Sequence, residues 1–134
     1  MRNVALLLLV FTVNAYSQIC LNCTKDTVLK RLKETDIVYN IQVHQDSIYC
    51  NTKEINSIGE SYYLFKNDSC YKQVYVENIQ DKDYFISKLN QLYCSQAFKN
   101  TWISYINRLN RSEIIRLVYL DKKIVITFEL IDDI

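Results

Sequence analysis

The chain has 134 residues, of which 49% are hydrophobic and 23% are charged, and its formal net charge at pH 7 is +1. This length fits one domain with a real core, and the composition excludes a disordered or low-complexity chain. A charge so close to zero gives no support for a protein that binds nucleic acid or anionic lipid.

The N-terminus has the pattern of a secretory signal peptide, in which a basic residue, an apolar run and a small-residue cleavage site follow one another. The apolar run is Val4–Phe11, and Ala15 and Ser17 lie three and one residues before a cleavage site ahead of Gln18. The run is shorter than the ~20 residues of a membrane-spanning helix, and no later segment is long and uncharged enough. We therefore predict a signal peptide at residues 1–17 and no transmembrane segment.

The rest of the chain, residues 18–134, is predicted to be a single exported domain, secreted or periplasmic after signal-peptide cleavage. Loss of Arg2 with the signal peptide makes this domain formally neutral. Lipid attachment at Cys20 is an alternative that would anchor the chain to a membrane. Ile19 disfavours it, because a lipoprotein signal resembles a leucine and two small residues directly before the cysteine. The sequence does not set the oligomeric state.

Five cysteines remain after cleavage, and export would bring them into a compartment in which disulfides persist. We expect two disulfides and one odd thiol, although sequence alone leaves the connectivity open. The preferred set joins Cys50 to Cys70 and joins either Cys20 or Cys23 to Cys94.

Cys20 and Cys23 also form a Cys-x-x-Cys motif, which in other contexts is a redox or metal-binding pair. A thioredoxin-like motif needs a preceding strand, but only two residues of the mature chain precede Cys20. A zinc site needs about four ligands, and the chain has no second such motif and one histidine. A structural role in disulfides is therefore favoured, and we predict no metal and no cofactor.

The first element after cleavage is predicted to be a helix over residues 24–34, with Val28, Leu29 and Leu32 on one face. An acidic residue near its start and basic residues near its end suit the helix dipole. The segment Ile37–Val43 alternates and is rich in β-branched and aromatic residues, which predicts a strand.

Two runs rich in Tyr, Phe and Val, Ser61–Lys66 and Cys70–Glu77, predict a hairpin. The intervening turn, Asn67-Asp68-Ser69, has no glycine, but Asn and Asp tolerate left-handed backbone conformations. In a chain with one Gly and no Pro, turns must be found from Asn, Asp and Ser.

A second helix is predicted to begin at a cap formed by Asp81, because the apolar residues that follow have the three-to-four spacing of one buried stripe. Residues 101–109 repeat this spacing and predict a third, short helix. The stripe of the second helix consists of Phe85, Ile86, Leu89, Leu92, Tyr93 and Ala97.

The segments Glu113–Leu120 and Lys123–Ile131 predict the clearest hairpin of the chain. A two-residue turn at Asp121-Lys122 sets a register that places six apolar or aromatic residues on one buried face. The opposite face, which carries Arg116 and Thr127, is predicted to be mostly solvated. The predicted pairs of the buried face are Tyr119 with Ile124, Leu117 with Ile126, and Ile115 with Phe128.

One buried face and one solvated face indicate an antiparallel sheet with helices against one side. The predicted fold class is therefore α+β, with an antiparallel sheet of four to five strands and helices packed on one face. The element order, with the aromatic segment Phe65–Cys70, the lone Trp102 and the closing hairpin, resembles that of small uncharacterised exported proteins of low-GC Gram-negative bacteria. The resemblance spans most of the chain and implies no activity.

His44 is the only histidine, which excludes multi-histidine metal sites and leaves one candidate general base. Catalysis would need a nucleophile beside it, so a Cys–His centre using the odd thiol is the enzymatic alternative. The position of His44 next to Gln45-Asp46, at a predicted strand end, favours a surface role. The chain has no glycine-rich phosphate loop and no Gly-x-Ser-x-Gly motif.

The aromatic hairpin offers the strongest candidate for a binding site. Its tyrosines would bring a large contact area at small entropic cost, whereas core packing is the structural alternative. We predict a non-enzymatic binding or protein-interaction module whose partner is another protein. The alternatives are a thiol-dependent enzyme with a Cys–His centre and a purely structural envelope component. The predicted binding patch is Tyr62, Tyr63, Phe65, Tyr71 and Tyr75.

Overall fold

The computed structural model describes residues 21–53, 58–78, 82–93, 96–106 and 109–131. The predicted signal peptide, its cleavage site, Cys20, Cys94 and the predicted cap Asp81 lie outside these residues. The elements in chain order are α1 (Lys25–Lys33), β1 (Val38–Val43), β2 (Ser47–Lys53), β3 (Ile58–Lys66), β4 (Ser69–Asn78), α2 (Lys82–Leu92), β5 (Gln96–Phe98), β6 (Thr101–Ile106), β7 (Arg111–Leu120) and β8 (Lys123–Ile131).

The strands form one sheet in the order β1-β2-β3-β4-β8-β7-β6-β5, and every neighbouring pair is antiparallel. The predicted fold class is therefore wrong. The protein is mostly β, with eight strands and two short helices in the described residues, instead of four to five strands with helices packed on one face.

The third predicted helix accounts for part of this error, because Thr101–Ile106 is strand β6. Trp102 and Ile106 are both buried and are four residues apart. That separation places two side chains on one face of a helix, but it also places them on one face of a strand. The spacing therefore fits either a helix or a strand, and the pairing with β7 shows that the segment is a strand.

The closing hairpin has the predicted register: Ile115 pairs with Phe128, Leu117 with Ile126, and Tyr119 with Ile124. Its inward side chains are buried except for that of Tyr119, which is 37% exposed and lies near the turn. The buried side chains of the hairpin are Glu113, Ile115, Leu117, Ile124, Ile126, Phe128 and Leu130.

The aromatic hairpin is also confirmed, since β3 and β4 pair from Glu60–Val76 to Lys66–Ser69. Its turn residues Asn67 and Asp68 have φ angles of 53° and 56°. All seven described residues with positive φ are Asn or Asp, and the lone Gly59 is not among them. Short polar side chains thus supply the left-handed positions that glycine supplies in most proteins.

The first helix is confirmed within a residue at each end. Thr24 is its N-cap, and its hydroxyl accepts a hydrogen bond from the Thr27 N–H at 3.3 Å. Val28 and Leu32 are buried and belong to the same hydrophobic core as the sheet, together with Phe85 and Leu89 of α2. Neither described helix has the length and apolar content that a membrane-spanning helix needs.

The two edges of the sheet are irregular. At one edge, the pairing of β1 with β2 shifts register between Tyr39 and Gln42, around Asn40 with a φ of 53°. At the other edge, β5 has three residues and its pairing with β6 also shifts register. Among the six strands between these edges, only the β3–β4 pair shifts register, between Leu64 and Phe65.

Candidate functional site

The five residues of the predicted aromatic patch do not share one surface. Tyr63, Phe65 and Tyr75 are at most 6% exposed and lie in the hydrophobic core. Tyr62 and Tyr71 are only partly buried. Because side chains alternate along a strand, Tyr62 lies on the opposite face of β3 from Tyr63. A partner can therefore reach the two partly buried tyrosines but not Tyr63 or Tyr75.

Tyr62 belongs to a small aromatic and polar cluster on the outer face of β2 and β3. Its ring centroid lies 4.9 Å from that of Tyr49, with an angle of 53° between the ring planes. The Tyr49 hydroxyl donates to Glu60 Oε1 at 3.2 Å and accepts from Asn51 Nδ2 at 3.1 Å. Desolvation raises the pKa of Tyr49, and the negative charge of Glu60 contributes in the same direction. These hydrogen bonds fix the pair in the sheet.

Tyr71 lines a cleft at the end of the sheet, and this cleft is the candidate functional site. Its volume of about 680 Å³ lies within the ~300–1,000 Å³ typical of ligand sites. It draws residues from five strands and from the turn before β2, so no single sequence segment reveals it. The lining residues are Asp46, Ser47, Leu64, Phe65, Lys66, Tyr71, Arg111, Glu129 and Leu130.

The cleft lies where β4 and β8 stop pairing. The last pair between these strands is Lys72 with Glu129, and the next residues along them, Tyr71 and Leu130, both line the cleft. The β3–β4 hairpin continues beyond this point, with a register shift between Leu64 and Phe65. Such a bulge bends the strand and increases its twist. The hairpin tip therefore separates from β8 and leaves a concave space.

The lining combines an apolar surface with charges of both signs. Leu64, Phe65 and Leu130 supply the apolar part. Lys66 and Arg111 supply positive charge, and Asp46 and Glu129 supply negative charge, so the charges balance. Concave sites with an apolar surface and a few polar groups are the usual form of ligand sites. This arrangement suits a ligand that has apolar groups next to charged or polar ones.

Glu129 forms ion pairs with two basic residues. Its carboxylate lies 3.9 Å from Lys72 Nζ and 3.8 Å from an Arg116 guanidinium nitrogen. Both pairs are partly exposed, so each adds little to stability. They place two basic groups beside a carboxylate that lines the cleft.

The described residues hold no group of three or more His, Cys, Asp and Glu side chains that could bind a metal ion. His44 is exposed in the turn before β2, where its backbone N–H donates to the backbone carbonyl of Ser47 at 2.8 Å. Cys50 and Cys70 are fully buried, and desolvation raises the pKa of each thiol to about 12. Burial shields both thiols from solvent, and neither residue lines the cleft.

The preferred disulfide between Cys50 and Cys70 does not fit the strand register. No disulfide joins any two of the three cysteines that the structure describes. Cys50 pairs with Ser61, which pairs with Tyr75, so Cys50 lies two strands or ~10 Å away from β4. Cys70 is a further ~16 Å along that strand. The separation greatly exceeds the ~7 Å beyond which a disulfide cannot form without backbone movement.

Several buried polar side chains lie on the inner face of β2, β3 and β4. Thr52, Ser61 and Gln73 have polar side-chain atoms that make no hydrogen bond to any described residue. Gly59 pairs with Thr52, and a Cβ built at Gly59 would clash with the Glu77 carboxylate. The only glycine of the chain therefore makes room for a buried carboxylate. These side chains are closed to solvent and are not part of the cleft.

Sequence reasoning found Tyr71 and Phe65 but missed most of the cleft. Arg111 and Glu129 lie at opposite ends of the closing hairpin sequence, and Asp46 and Lys66 lie in or beside turns. Charged residues at strand ends are common in any soluble protein, so these had no distinguishing signal.

Comparisons with protein-family models, curated proteins and solved structures each give no match.

Proposed function

We propose that the protein is an exported, non-enzymatic binding domain and that its cleft binds a segment of another protein. The observation that carries this proposal is the cleft itself, which combines an apolar surface with balanced charges. Export is inferred from the N-terminal sequence pattern alone.

A polypeptide is the ligand class that best matches this lining. An apolar side chain of the partner would contact Leu64, Phe65 and Leu130, and polar main-chain or charged groups would meet Lys66 or Asp46 at the rim. A strongly anionic ligand, such as a nucleic acid, would instead require an excess of positive charge. Tyr71 adds an aromatic ring, which is typical of residues that dominate protein interfaces.

The thiol-enzyme alternative has weaker support. None of the cleft-lining residues is a cysteine or a histidine. An active site of that kind needs the thiol and the imidazole within hydrogen-bond reach, or a rearrangement that brings them together. Its support is limited to the presence of both residue types in the chain.

A peptide selection tests the proposal. Random peptides displayed on phage would be selected on the exported form of the protein, and the enriched peptides would be synthesised and titrated into ¹⁵N-labelled protein. We expect the backbone amide signals that move to be those of Leu64, Lys66, Tyr71 and Glu129. Selection of no peptide, or signal changes confined to the Tyr49–Tyr62 cluster, would contradict the assignment of the cleft.

A pair of leucine variants provides the matched control. Leu64→Ser removes an apolar group from the cleft, and Leu120→Ser removes one from an exposed position near the β7–β8 turn. Burial of a leucine side chain contributes roughly 1.5–3 kcal/mol, so peptide affinity should fall by about tenfold or more in the first variant. The second variant should bind as the wild type does. Equal affinity of both variants would exclude the cleft as the binding site.

A further inference from the structure

The segment that precedes α1 pairs with the tip of the β3–β4 hairpin. The Asn22 N–H donates to the Cys70 carbonyl at 2.6 Å, and the Cys70 N–H donates to the Cys23 carbonyl at 2.8 Å. Two further contacts hold the same junction: the Ser69 hydroxyl donates to Asn22 Oδ1 at 3.1 Å, and the Lys25 N–H donates to Asp68 Oδ1 at 3.3 Å. The segment is therefore docked by its backbone as well as by side chains.

This pairing has the pattern of a β-bulge with its first residue in the left-handed conformation. Asn22 has a φ of 72°, and Asn22 and Cys23 together oppose the single residue Cys70. Opposed residues in an antiparallel pair have Cα atoms ~4.5–5.5 Å apart. That range lies within the ~4.4–6.8 Å over which disulfides form.

The two thiols are close enough to influence each other. Desolvation is the main cause that raises the pKa of Cys70 to about 12, and the charge of the Cys23 thiolate contributes in the same direction. Cys70 is fully buried, whereas Cys23 is partly buried and packs against the core. Cys50, the other buried cysteine described, is too far from Cys70 to compete with Cys23.

We propose that Cys23 and Cys70, which are both thiols in the structure, form a disulfide on oxidation that fastens the N-terminal segment to the β3–β4 hairpin. The oxidant is a second disulfide, either in a thiol–disulfide oxidoreductase or in glutathione disulfide. This bond is independent of the proposed peptide-binding function, since neither sulfur lines the cleft.

The exchange proceeds in two steps through a mixed disulfide. The more exposed Cys23 loses its proton to water, and its thiolate attacks one sulfur of the oxidant and expels the other as a thiolate. Cys70 then loses its proton, and its thiolate attacks Cys23 Sγ and expels the second oxidant thiolate. Both oxidant thiolates take up protons. Two protein thiols are thereby oxidised to one disulfide, and one oxidant disulfide is reduced to two thiols.

Tryptic peptide mapping without reduction tests the pairing, because trypsin separates most of the cysteines. Cys70 lies alone in the peptide 67–72, Cys50 in 34–53 and Cys94 in 89–99, whereas Cys20 and Cys23 share the peptide that ends at Lys25. The sample is the full chain expressed with export, with free thiols alkylated before digestion. We expect the peptide 67–72 to be linked to the peptide that ends at Lys25, in the wild type and in Cys20→Ser.

The variant Cys23→Ser should release the peptide 67–72 in its alkylated form. If this variant fails to accumulate, the peptide map of Cys20→Ser still shows whether Cys70 is bonded to Cys23 or to another cysteine. Linkage of 67–72 to the Cys50 or Cys94 peptide would overturn the proposal. Alkylated Cys70 in wild-type protein would overturn it as well, provided that the sample had been equilibrated with glutathione disulfide before alkylation.

Discussion

The inner face of the sheet has two halves of different chemistry. In the apolar half, strands β7 and β8 bury Ile115, Leu117, Ile124, Ile126 and Phe128. In the polar half, strands β2, β3 and β4 bury Thr52, Ser61, Gln73 and Glu77 among aromatic side chains. Both halves are closed to solvent. A residue on this inner face is therefore buried whether its side chain is apolar or polar.

A single register row shows the change from one half to the other. The row runs from Cys50 through Ser61 and Tyr75 to Ile126 and Leu117. All five side chains are buried, yet the apolar pattern is clear only in the last two strands. Buried polar groups without partners reduce stability, whereas buried methylene groups increase it. The two halves should therefore respond in opposite directions to substitution.

The largest effect is expected in the apolar half. Phe128→Ala should lower the free energy of unfolding by about 3–5 kcal/mol, because it leaves a cavity among buried residues. Thr127→Ala, at the next residue on the outer face, should change it by only about 0.5 kcal/mol. Urea denaturation of both variants measures the difference. Comparable losses at the two positions would mean that the outer face is also covered.

Glu113 is the exception within the apolar half, since this fully buried carboxyl lies on β7 two residues from Ile115. Desolvation raises its pKa from 4.5 to about 7, and a hydrogen bond with Tyr93 opposes that shift. A folded-state pKa above the unfolded one means that the folded protein holds the proton more tightly. Stability is therefore greatest below pH ~4.5 and falls as the pH rises to about 7.

Glu113→Gln should remove this loss, because the amide has a similar shape and no charge. At pH 8 the variant should be more stable than the wild type by about 3 kcal/mol. Unfolding measured from pH 4 to pH 8 checks the slope as well as the end point. A wild type with constant stability over this range would show that water or a rearrangement compensates the carboxylate.

The polar half gives a third, smaller prediction of opposite sign to the first. Gln73 is 1% exposed, and its amide makes no hydrogen bond to a described residue. Gln73→Met keeps the length of the side chain and removes the buried amide, so stability should rise by about 1–2 kcal/mol. The exposed Gln45 provides the control, where the same change should have almost no effect. A loss of stability at Gln73 would indicate a bound water or a further hydrogen bond.

The smallest effect concerns the turn of the polar half. Asn67 has a φ of 53°, a conformation that costs an alanine roughly 1–2 kcal/mol. Asn67→Ala should therefore lower stability by about 1 kcal/mol, while Asn67→Gly should retain most of it. Thermal unfolding of the two variants side by side tests this. An equal loss in both would assign the effect to the asparagine side chain and not to the backbone.

These two halves also explain what the sequence could predict. The register of β7 and β8 was predictable because apolar residues alternate with polar ones around a two-residue turn. Strand β2 was missed because its buried positions include Cys50 and Thr52, which do not form an apolar pattern. The left-handed turns could be found from Asn and Asp. The cleft could not, because Asp46, Lys66 and Arg111 come together only through the sheet order.

The irregular edges of the sheet affect how two molecules of this protein can associate. A strand from a second molecule adds to a sheet only where it finds a straight row of unpaired N–H and C=O groups. The left-handed Asn40 interrupts that row on β1, and the three residues of β5 are too few to provide it. Growth of the sheet by strand addition is therefore disfavoured at both ends.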